Sequence, residues 1–163
     1  MKFCLNMMLI AVLVLGGCAK KGAVGLHKDQ PPHGGTPVAL GDNYRIEFVL
    51  DAASGTLSAY ILDDEMEGFV RSDMPSFEVT AKIGGTEQVL VFKPVANPAT
   101  GETVGDTALF TVRAGWLKTT KTFDAVIKSV TLDGTTFTHV AFDFPQGSLR
   151  ISDFKSQSSD SRP

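Results

Sequence analysis

Tyr44-Arg45-Ile46-Glu47-Phe48-Val49-Leu50-Asp51 is the stretch that decides the fold. Tyr44, Ile46, Phe48 and Leu50 alternate with Arg45, Glu47 and Val49. An apolar residue at every second position turns one face of an extended chain toward a core, the pattern of a half-buried strand. Ala52-Ala53-Ser54-Gly55 then connects, hairpin-like, to a second β-rich run, Thr56 to Asp63 (TLSAYILD). Phe77 to Ile83 (FEVTAKI) repeats the alternation, and Gly84-Gly85 leads into Glu87 to Lys93 (EQVLVFK). Paired glycines supply the positive φ that tight hairpins need.

The same reading extends to the C-terminal half. Asn97 to Asp106 is rich in Pro, Gly, Thr and acids, and reads as a loop. Ala108 to Arg113 is a short strand, and Trp116 to Lys121 forms a single turn. Asp133-Gly134 closes a hairpin between Thr122–Leu132 and Thr135–Phe144, because Asp-Gly between β-rich runs is a strong local turn signal. Pro145 and Gly147 stop the last strand. The sum is about seven or eight strands with no long helix, which predicts an all-β, Ig-like antiparallel β-sandwich over residues 36–147, with a closed barrel as the alternative. Trp116 reads as a core plug or rim residue rather than a ligand-stacking one.

Composition narrows the functional classes. The chain has 163 residues, room for one domain with short extensions. Net charge is -3, and the basic residues are scattered. Nucleic-acid binding needs clustered Lys and Arg, so nucleic acid is not an expected partner. The two cysteines, Cys4 and Cys18, both precede the strand region, which therefore has no thiol nucleophile.

The first residues read as targeting information. Met1-Lys2 is followed by an almost wholly apolar run from Phe3 to Leu15 and then by Gly16-Gly17-Cys18. A charged start, an apolar core of roughly 7–15 residues and small residues at the cut describe a secretory signal. Leu15-Gly16-Gly17-Cys18 resembles a bacterial lipobox, with residues 1–17 as the signal peptide and Cys18 as the acylated first residue. That resemblance implies an anchor in membrane lipid, facing the periplasm. Ala19, where Asp would favour the inner membrane, points to the outer membrane. Residues 18–35 then read as a flexible tether, and the Ser-rich stretch 148–163 as a disordered polar tail.

No catalytic set is visible: Gly-x-Ser-x-Gly, His-Glu-x-x-His and a phosphate loop are all missing from the sequence. The expectation is no enzyme and no cofactor, with a divalent metal as the one candidate. His33, Glu47, His139 and Asp143 form the tentative metal set, with His139 and Asp143 on one strand face and His27 in the tether beside them. Imidazole suits zinc, copper and nickel. Met66 and Met74 flank an acidic loop with Asp63, Asp64, Glu65 and Glu67, which offers oxygen donors for a cation.

Pro32-His33-Gly34-Gly35-Thr36, Val38 to Gly41, Tyr44 to Asp51 and Leu57 to Asp63 resemble an uncharacterised family of small periplasmic lipoproteins. A similar opening occurs in the N-terminal extensions of some heavy-metal efflux adaptor proteins. The pattern is an HGG start, V-x-L-G, Y-[H]-x-E and G-x-L-x-x-Y-x-L-D. The resemblance implies a metal set of His33, the residue after the tyrosine and Glu47; Arg45 stands where relatives often carry His, so one ligand is missing here. The expected function is a lipid-anchored, non-catalytic binding or interaction module whose partner is a periplasmic protein or efflux component. The alternative is a metal-binding accessory in heavy-metal efflux or homeostasis.

Overall fold

The alternation along YRIEFVLD is realised as a strand whose inward face carries Ile46 and Phe48, both fully buried. The computed structural model describes residues 30–148; the expected signal peptide, Cys18, His27 and the tail from 149 onward lie outside the described residues. The strands are β1 (Thr36–Leu40), β2 (Tyr44–Asp51), β3 (Thr56–Asp63), β4 (Phe77–Ile83), β5 (Thr86–Pro94), β6 (Leu109–Arg113), β7 (Phe123–Leu132), β8 (Thr135–Phe144) and β9 (Gly147–Ser148). A single 3-10 turn, Gly115–Lys118, precedes β7. Trp116 packs there edge-on against Phe123 at 5.4 Å, as a rim residue of the core.

All pairings are antiparallel, in the order β1-β2-β3-β6-β5-β4-β7-β8-β9. The all-β antiparallel expectation is met. Among the described residues there are nine strands instead of about seven or eight, and they form one sheet that nearly closes on itself. Two features give this shape. The β5–β6 link involves only Lys93↔Thr111 and Pro94↔Phe110, so the sheet turns a corner there. At the other end β1 meets β9: Ala39 N–H donates to Ser148 Oγ at 2.7 Å, and Thr36 Oγ1–H to the Pro145 carbonyl at 3.1 Å. Gly147 packs on the Pro37 carbonyl so closely that a Cβ would stand 2.5 Å from it. β8 ends at Phe144, just before Pro145 as expected, but Gly147 and Ser148, the latter assigned to the tail, form a short return strand that fills the seam.

The interior is built from phenylalanine rings. Phe48 stacks on Phe142 at 4.8 Å and meets Phe92 edge-on at 5.7 Å; Phe77 stacks on Phe92 at 4.7 Å. Fully burying a ring of this kind contributes about 2–3 kcal/mol before entropy is counted. The inward alternation shifts once. On β8, Phe144, Phe142 and Val140 face the core, but so does Phe137. The shift falls at His139, whose φ is +54°.

Candidate functional site

Glu47 is the exception on β2. It points to the outer face of the sheet, yet it is 0% exposed. What covers it is the segment just before β1. Pro31–Gly34 forms a turn closed by Gly34 N–H donating to the Pro31 carbonyl at 2.9 Å, with Pro32 at the position where its fixed φ fits. The turn delivers two backbone donors to one carboxylate oxygen: His33 N–H and Gly35 N–H reach Glu47 Oε1 at 2.9 and 2.7 Å. The other oxygen, Oε2, lies 2.8 Å from His33 Nδ1. An ionised carboxylate only accepts, so Nδ1 carries the proton of this pair when Glu47 is charged. His33 Nε2 has no hydrogen-bond partner among the described residues.

The two glycines have separate reasons. Gly34 has φ +67°, a left-handed conformation that costs other residues about 1–2 kcal/mol. Gly35 lies flat on β2: a Cβ there would stand 2.5 Å from the Phe48 carbonyl and 2.7 Å from a Val49 methyl. The HGG start is thus a latch that docks the chain onto the sheet. The last three residues assigned to the tether belong to the folded domain.

Tyr60 completes the latch. It is the cross-strand partner of Glu47 in the β2–β3 hairpin. The His33 ring stacks on it with centroids 3.8 Å apart and planes 13° apart. Burial, then the neighbouring Glu47 charge, push the Tyr60 phenol above its ordinary range. Phe69 stands next to both rings, 5.8 Å from His33 and 6.3 Å from Tyr60.

Phe69 is carried by the acidic loop. Asp63 Oδ1 accepts the Glu67 N–H at 2.9 Å, and Asp63 N–H donates to the Gly68 carbonyl at 3.0 Å. Met66, at φ +58°, turns inward and is buried, while Asp64, Glu65 and Glu67 face solvent. The loop is therefore closed by its own carboxylate. Met74 is also buried, with its sulfur accepting the Thr131 N–H at 3.4 Å.

These elements border a cleft of about 440 Å³ whose walls include His33, Tyr60, Phe69, Arg71, Glu102 and Leu109. Arg71 donates to Asp106 Oδ2 at 3.1 Å and to the Thr100 carbonyl at 2.6 Å. Glu102 accepts Ala108 N–H at 2.9 Å and Thr100 Oγ1–H at 2.6 Å. Chiefly those two bonds hold its carboxyl below the usual carboxylate range.

Of the four residues taken from the sequence as a metal set, the structure joins His33 to Glu47. His139 and Asp143 lie on β8, and among the described residues no three His, Cys, Asp or Glu side chains stand together as a metal-holding group. Arg45 also stays out of the latch, donating to the Tyr44 carbonyl at 2.9 Å. Sequence reasoning passed over Tyr60, Phe69, Arg71 and Glu102. Tyr60 had a usable signal: a hairpin closing between Asp51 and Thr56 sets Glu47 opposite Tyr60. The other three have none, because loop conformation brings them to the cleft. Comparison with known proteins adds no identity: no family model, no curated protein and no solved structure matches this chain.

Proposed function

We propose that this protein is a lipid-anchored, non-catalytic binding module of the cell envelope. Acylated Cys18 holds it to a membrane, and the cleft beside the latch is its binding surface. One observation carries the reading. Phe69 is 54% exposed, yet it is fixed in place by a closed loop and two neighbouring rings at the wall of a ligand-sized cleft. Pockets of roughly 300–1,000 Å³ with apolar walls and a few placed polar groups are the usual form of small-ligand sites. Periplasm-facing placement, with the outer membrane as the anchor site, follows from the lipobox resemblance and Ala19.

Two measurements test it. Metabolic labelling with an alkynyl fatty acid should mark the wild-type chain and leave Cys18→Ser unmarked. A photoreactive phenylalanine at position 69 should give a discrete adduct in cells, and one at Val89, exposed on β5, should not. Equal labelling from both positions, or none from either, overturns the reading.

A second reading has one observation in its favour. Metal-ligating imidazoles commonly donate their other ring N–H to a carboxylate, which sets tautomer and orientation. His33 and Glu47 have that arrangement, with Nε2 left for a metal. The described residues offer one oriented imidazole and not a closed ligand set, so a divalent ion would have to be shared with another molecule, as in a metal-efflux accessory. Calorimetric titration with Cu²⁺, Zn²⁺ and Ni²⁺ decides it. Affinity in the millimolar range, or one unchanged by His33→Ala, removes the metal role.

A further inference from the structure

Phe69 is unusual for an exposed apolar residue because the structure spends several bonds holding it there. Val70 N–H donates to the Ile61 carbonyl at 2.9 Å on one side, and the Asp63–Gly68 bond closes the turn on the other. Gly68 is pressed against Asp63, where a Cβ would meet Oδ2 at 2.5 Å. The ring cannot retreat into the interior without breaking that turn.

The charges around it have one sign in excess. Arg71 is the cleft's guanidinium, and it is already paired with Asp106. Glu102 faces the same space, and Glu47 lies behind His33. Two carboxylates, Asp106 and Glu102, therefore answer one arginine, while Glu47 is already bonded to His33; Asp64, Glu65 and Glu67 are exposed on the loop that leads into Phe69. An anionic ligand would meet this field with its one cationic partner taken. A cation would be drawn in, and an aromatic face adds to that attraction when the cation sits over it.

We propose that the cleft binds a small organic ammonium ion, with its apolar body on Phe69, Tyr60 and Leu109 and its charge toward Glu102. This rests on the reading of the cleft as the binding surface and names what that surface selects. The cleft volume of about 440 Å³ accepts a single ring bearing a substituted ammonium group.

The test uses the full chain, purified from membranes in non-ionic detergent, and benzyltrimethylammonium as the probe. Benzoate and benzyl alcohol serve as the anionic and neutral counterparts. Calorimetry and amide shift mapping should show saturable binding of the ammonium, with shifts centred on Tyr60, Phe69 and Leu109. Benzyl alcohol should bind about five-fold more weakly, and benzoate more weakly still. Phe69→Leu, which keeps the apolar bulk, should weaken the ammonium about three- to five-fold while Phe69→Tyr retains it. Glu102→Gln should weaken it by a similar factor and flatten its salt dependence. Benzoate binding as tightly as the ammonium overturns the ligand class but leaves the cleft a binding site. No saturable shift from any of the three probes overturns both. A lysine-rich peptide that binds the cleft without competition from the ammonium overturns the small-molecule assignment in favour of a polypeptide partner.

Discussion

Glu47 and Phe48 are neighbours on β2, point to opposite faces of the sheet and are both 0% exposed. Their burial has different origins. Phe48 is enclosed by rings from across the domain, Phe92 and Phe142. Its environment exists only once the whole sheet has curled. Glu47 is enclosed by the turn that carries His33 to Gly35. Non-directional burial of apolar area ties Phe48 to the global fold. Directional hydrogen bonds tie Glu47 to one detachable segment. The inner face therefore sets stability, and the outer face sets what the entry segment does.

That contrast is breakable at each position. The largest effect should come from Phe48→Ala, which removes a ring from a close-packed interior and should cost about 3–5 kcal/mol in the midpoint of denaturant unfolding. Amide exchange should accelerate over the whole sheet. Glu47→Ala should cost less, about 2–3 kcal/mol, since it removes charge-assisted hydrogen bonds. The loss should be local: exchange at the His33 and Gly35 amides should rise sharply while the β2 and β3 amides stay protected. Uniform exchange in Glu47→Ala would mean that the latch is part of the global unit. Gly35→Ala should be milder again, about 1–3 kcal/mol, because the new Cβ must displace the latch from the Phe48 carbonyl. It should free the His33 ring from Tyr60, seen as loss of ring-current shifts in the His33 proton resonances. If those shifts persist in Gly35→Ala, the close packing of Gly35 does not hold the latch.

The smallest effect concerns the cleft's far wall and acid. The Glu102 carboxyl is held low mainly by the Ala108 N–H and the Thr100 hydroxyl. A folded value below the unfolded one contributes stability that is complete above the unfolded range and is lost as pH falls through the folded value. Amides of residues 97–108 should therefore exchange faster in acid before the strands do, and Glu102→Gln should remove that acid step. An acid step that survives the substitution would assign it to another group.

The strands and turns were legible because their signals are local. Period-two alternation marks each strand, and Gly55, Gly84-Gly85 and Asp133-Gly134 mark the hairpins where a positive φ is needed. The latch was half legible. His33, Gly34, Gly35, Glu47 and Tyr60 all fell within the stretches quoted for the family resemblance, but nothing local says that a histidine before β1 reaches a glutamate fourteen positions later. His139 shows the converse. It sits mid-strand, where alternation would pair it with Asp143, and the backbone turns there at φ +54°.

By itself the sequence determined an all-β antiparallel domain, since alternation and turn residues are properties of neighbours along the chain. Only the tertiary structure decided that the sheet nearly closes at Ala39 and Ser148, that Glu47 is buried from outside, and that Phe69, Arg71 and Glu102 share a cleft. Each of those depends on how distant segments meet, and the free energy of such meetings belongs to pairs of residues that no local pattern couples.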